Sequence, residues 1–140
     1  MVEEGSGSGA FEDAEYSEFL RISGLRLETV GGDMVRGWID LDQQHHTPWG
    51  VVHGGVYAAA VESAASLGAS AAVKDKEQFA VGVNNNTDFL RPVTEGRVEV
   101  VAEPLMQGKG QQLWQVVITR AEDGKTVARG QVRLQNVPAR

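Results

Sequence analysis

Residues 50–73 read GVVHGGVYAAAVESAASLGASAAV, and this stretch decides the fold. From Val56 to Val73 it is almost wholly small and apolar, without a proline. Gly54 and Gly55 stand at its start, and Lys74 and Asp75 stand just past its end. Apolar residues fall all round the helical wheel, the pattern of a helix buried on every side. Glu62 is its only acid. Glu62, Ser66 and Ser70 recur at i, i+4 and i+8, so they share one face and form a narrow polar seam. Two readings of Glu62 stand side by side. One is a solvated helical Glu, the ordinary case. The other is a working carboxylate on a buried helix. A membrane span is the weaker reading of the stretch as a whole, because it is rich in Ala and Ser, carries a central acid and lacks basic flanks.

The remainder of the chain bounds the class. Its 140 residues suit one domain with a sizeable core. Apolar content of 41% and charged content of 23% describe a soluble globular protein. A net charge of −6 with no basic stripe argues against a nucleic-acid partner. There are no cysteines, so disulfides, thiol nucleophiles and thiolate metal sites are excluded. The start of the chain lacks a basic-then-apolar leader pattern, and the expected location is the cytoplasm, with no membrane partner.

Residues 1–10, MVEEGSGSGA, read as a disordered tail, and 11–140 read as a single domain. Phe11 to Ile22 holds a short amphipathic helix at most. Alternation through Leu25, Leu27 and Thr29, and again through Val35, Gly37, Ile39 and Leu41, predicts two strands around a turn at Gly31-Gly32-Asp33. Residues 42–53 form a loop leading to the helix. Four long strands follow it, over 79–90, 97–107, 111–120 and 126–137, with turns at Glu95-Gly96, 108–110 and 122–125. The Asn84-Asn85-Asn86-Thr87 centre is an odd polar interruption of the first of these. Short connections predict an antiparallel meander of the strands after the helix. The expected architecture is α+β: one long helix wrapped by a curved antiparallel sheet of five to six strands. That much apolar surface exceeds what one chain covers, which predicts a homo-oligomer.

Chemistry converges on the helix and its approach. Free N–H groups at a glycine-lined helix start suit developing negative charge. Glu62 lies about 10–12 Å further along the axis, and a carboxylate among apolar neighbours suits base or nucleophile work. Ser66, one turn on, is placed to hold a water or orient Glu62. His45, His46 and His53 lack metal-ligand spacing and an acidic partner, so no metal and no bound cofactor is expected.

The run Thr47-x-x-Gly50-x-x-His53-Gly54-Gly55, with Glu62 after it, resembles the hotdog-fold acyl-CoA thioesterases. It is most similar to the branch containing 4-hydroxybenzoyl-CoA thioesterase of the type with a helix glutamate. Asp88-Phe89-Leu90-Arg91-Pro92-Val93 resembles that family's third-strand segment, and the likeness extends over about residues 20–136. The resemblance implies a dimer with joined sheets and shared active sites, and the excess apolar surface of helix and strands predicts a tetramer. It implies that Glu62 attacks an acyl-CoA thioester or activates water, that the Gly54 N–H polarises the carbonyl, and that Ser66 assists the water. His53 and Gly55 would shape the pocket beside Gly54. Thr47 falls where many relatives have Asn or Gln. Arg91 matches an arginine that meets the CoA nucleotide phosphates, and the loop residue Lys109 is a second candidate for that task. CoA enters only as part of the substrate.

Two rival functions differ in kind. A hydratase or dehydratase of the same fold would use an Asp–His pair, loosely matched by Asp40 and His45. A non-catalytic acyl-CoA binder would have no use for an acid in the acyl path, so Glu62 argues for catalysis.

Overall fold

The structure is a computed structural model that describes residues 16–140. The tail expected over 1–10, and residues 11–15 of the expected first helix, lie outside the described residues. Helix α1 (Glu18–Ser23) is capped by the Ser17 hydroxyl, which accepts the Leu20 N–H at 3.1 Å. Strands β1 (Arg26–Val30) and β2 (Val35–Leu41) form a hairpin whose turn leaves Gly32 against Ala72 of the central helix. The approach over 42–53 is more ordered than a loop. A 3₁₀ turn at Gln43–His45 is closed by a reciprocal cap between Asp42 and His45.

Helix α2 (Gly54–Val73) follows, then β3 (Gln78–Phe89), β4 (Gly96–Gln107), β5 (Gln111–Arg120) and β6 (Thr126–Pro138). All six strands pair antiparallel in the order β1-β2-β4-β5-β6-β3. The meander therefore holds for β4, β5 and β6 but not for β3. The segment after β3 crosses to the other side of the sheet, and β3 pairs with β6 at the far edge. Backbone bonds from Leu90 and Arg91 N–H to the Val127 carbonyl steer that departure.

Alternation explains the core. Val98, Val100 and Ala102 of β4, Trp114, Val116 and Ile118 of β5, and Val132 and Leu134 of β6 turn inward onto the helix. The helix answers with Tyr57, Ala60, Val61, Ala64, Ala65, Gly68 and Ala69. Gly68 permits a close approach, since a Cβ there would run into the Trp114 ring. Burial on every side of α2 is not what forms. One face is fully buried on the sheet, while Ala58, Ala59, Glu62, Ser63, Ser66 and Leu67 beside it are half-buried, with Ala58 and Glu62 reached by Asn85 of β3. Small side chains made the wheel look uniformly apolar, but a single sheet covers only one face.

Candidate active site

The site is built on the first half of α2 and the strand beside it. His53 is the helix N-cap: its Nδ1 accepts the Gly55 N–H at 2.7 Å. That bond makes Nδ1 an acceptor and takes the Gly55 N–H out of reach of a ligand. No acceptor meets the Gly54 N–H among the described residues. The first residue of a helix whose second N–H is already capped thus offers one free donor at the positive end of the macrodipole. The Phe89 ring lies over Gly54, where a Cβ would come within 3.0 Å of it.

Glu62 is half-buried, two turns on. Its Oε1 accepts from Asn85 Nδ2 at 3.2 Å, and the Ser66 hydroxyl approaches Oε2 at 3.5 Å. The carboxylate lies against Gly82, where any Cβ would overlap it. The seam continues to Ser70, whose hydroxyl accepts the Ala80 N–H at 3.0 Å. Asn85 and Gly82 belong to this site and carry no sequence motif of their own, whereas Phe89 lies in the 88–93 segment. The polar interruption at 84–87 was the one available signal.

Other candidates lie further out. The Thr47 hydroxyl accepts the Trp49 N–H at 3.2 Å and closes the approach loop, which leaves Trp49 85% exposed. Arg91 is exposed, with one guanidinium nitrogen donating to the Thr126 carbonyl at 2.7 Å. Lys109 stands in the β4–β5 hairpin, next to Gln107, whose side chain bonds the Gly32 carbonyl beside Ala72. That is the C-terminal end of α2, opposite the end that holds Gly54.

Asp40 and His45 do not meet. Asp40 is gripped by the Arg97 guanidinium at 2.7 and 2.9 Å, which holds its carboxyl below the usual range, and His45 is buried with Nδ1 accepting the Asp42 N–H. The pair a hydratase would need is therefore not assembled in this chain. Among the described residues no cluster of His, Asp and Glu could hold a metal ion.

The thioesterase superfamily profile matches residues 50–127. A Mycobacterium tuberculosis protein named as an esterase is 49% identical over 119 residues, 84% of either chain. Its solved structure matches this fold with a TM-score of 0.85 at 47% identity, covering 89% of this chain and 99% of that one. The 1,4-dihydroxy-2-naphthoyl-CoA hydrolase of Escherichia coli is 34% identical over 94 residues, 67% of this chain and 68% of that one. A thioesterase structure from Haemophilus influenzae has a TM-score of 0.79 at 29% identity, covering 86% of this chain and 82% of that one.

Proposed function

Since the chain belongs to the thioesterase superfamily and is a thioester hydrolase, we propose that its substrate is a small, aromatic or medium-chain acyl-CoA, cleaved to the free acid and CoA. The observation that carries this reading is the Glu62 carboxylate, half-buried in mid-helix and held by Asn85 and Ser66. Glu62 supplies the attack on the carbonyl carbon, directly or by taking the proton of an attacking water. The free Gly54 N–H receives the developing oxyanion. Apolar walls read the acyl group and discriminate weakly, so several acyl chains are accepted. Arg91 reaches the nucleotide phosphates, a task suited to its planar fork of donors.

The working unit in this reading is a dimer. Gly54 and Glu62 are eight residues apart on one helix, about 12 Å along its axis. One thioester carbonyl cannot touch both, so the Gly54 N–H of one copy serves with the Glu62 of another. Strand β3 supports this: it is a 12-residue edge strand with one side unpaired and with Val83 and Phe89 more than half exposed. The outer sheet face supports a further pairing into a tetramer. Glu99 and Glu103 stand on β4, Arg129 and Arg133 on β6, and the outward β5 residues between them are uncharged. A second sheet turned about an axis along β5 would set acid against base.

The decisive test is incubation with acetyl-, hexanoyl- and benzoyl-CoA in the presence of a thiol reagent. Release of free CoA is the expected result. Hydration of an enoyl-CoA without CoA release would instead support a hydratase.

A further inference from the structure

The three asparagines of β3 are not equivalent. The pairing of β3 with β6 is irregular between Gly82 and Asn84. Ahead of this bulge, Ala80 and Gly82 face the helix; after it, Asn85, Thr87 and Phe89 do. The extra residue switches the parity of the strand. Without it, Asn84 and Asn86 would have turned inward and Asn85 outward.

Asn85 stands in an exposed stretch of an edge strand, where an amide ordinarily bonds to water. Here it is held by three partners of its own chain. Nδ2 donates both to the Ala58 carbonyl at 3.1 Å and to Glu62 Oε1 at 3.2 Å. Oδ1 accepts from the Thr87 hydroxyl at 2.7 Å. Carbonyl and carboxylate oxygens are acceptors only, so the amide can sit in just one of its two orientations. A fixed donor therefore points at one oxygen of a side chain that would otherwise rotate about three bonds. Removal of the Cβ at Gly82 makes room for the carboxylate in that same pose.

We propose that Asn85 is the positioning residue of Glu62. It binds Oε1, sets the plane of the carboxylate, and leaves Oε2, which lies against Gly82 and is approached by the Ser66 hydroxyl at 3.5 Å, as the oxygen with lone pairs for reaction. Thr87 holds Asn85 in turn. The inference rests on the reading of Glu62 as the reacting carboxylate. It predicts a loss in kcat without a loss in substrate binding, since Asn85 need not touch the substrate.

The test compares Asn85→Asp and Asn85→Leu with the parent, using whichever of hexanoyl-CoA and benzoyl-CoA is cleaved faster. Asn85→Asp preserves shape but replaces the donor with a second carboxylate. Asn85→Leu removes the polar group and keeps the branched shape. Both are expected to lower kcat about 10- to 100-fold, the cost of a misplaced catalytic group, with KM within about twofold. Each is also combined with Glu62→Gln. A residue that acts through Glu62 has nothing left to position there, so the double variants should be no slower than Glu62→Gln alone. If Glu62→Gln is impaired while both Asn85 variants keep the parental kcat, the positioning role is wrong and the function stands. Equal losses in the presence and absence of Glu62 would assign Asn85 a structural role and overturn the proposal. If Glu62→Gln itself keeps the parental rate, the catalytic reading and this inference fall together.

Discussion

The ring of Phe89 covers Gly54 so closely that a methyl group on residue 54 would meet three of its carbons at 3.0–3.1 Å. A residue at the end of the edge strand thus dictates the absence of a side chain at the helix start. Gly54→Ala must shift the half-exposed Phe89 ring by a few tenths of an ångström, which is expected to cost up to about 1 kcal/mol. Thermal unfolding of Gly54→Ala, Phe89→Ala and the double variant checks this, because the double variant should recover part of the loss. Additive losses would mean that the two residues do not press on each other.

Glu62→Gln keeps size and hydrogen bonding but removes the charge and the nucleophile. It should leave the fold intact and lower kcat by at least about 100-fold, within the range for losing a positioned base or nucleophile. KM should move much less. Ser66→Ala, which removes a 3.5 Å contact, should give the smaller loss of the two. Steady-state kinetics on acyl-CoA decides, and a Glu62→Gln enzyme as fast as the parent would restore the solvated-face reading.

Arg91→Ala should raise KM for acyl-CoA and affect a short pantetheine thioester less, because the latter lacks the nucleotide. The side chain also ties the end of β3 to the Thr126 carbonyl, so a small fall in thermal midpoint is expected as well. Equal KM changes on both substrates would remove Arg91 from nucleotide binding.

Strand β3 offers an unpaired edge, and light scattering should find no monomer at micromolar concentration. Val83→Pro, in the bulge of the edge strand, should weaken assembly and activity together. A stable monomer with full activity would contradict the shared site.

Tyr57 is 3% exposed and its hydroxyl has no hydrogen-bond partner among the described residues. Burial pushes its ionisation up to about 12. The fold thus prefers the neutral phenol. That preference is fully present below the ordinary value of 10.0 and is lost as pH rises through about 12. Tyr57→Phe removes an unsatisfied buried group, so at pH 8 it should be neutral or stabilising by about 1 kcal/mol. It should also unfold less readily than the parent between pH 10 and 12. Thermal midpoints measured across that range test both statements.

Much was determined by the sequence alone. The run 54–73 is a helix with the bounds its composition suggests, because glycines open it and charge follows it. Strand alternation marked β2, β5 and β6 to within a residue or two, since period-two patterning is a local property. The lone acid of the helix and the His53-Gly54-Gly55 run marked the candidate site for the same reason. Tertiary structure decided the remainder. Whether β3 lies beside β4 or beside β6 depends on a long-range pairing that turn chemistry does not encode. His53 and Gly55 bond to each other, which became visible only with the helix start in place. Which of Asn84, Asn85 and Asn86 meets Glu62 hangs on one bulge: a single extra residue turns every later side chain to the opposite face, and nothing in four consecutive polar residues marks where that step falls.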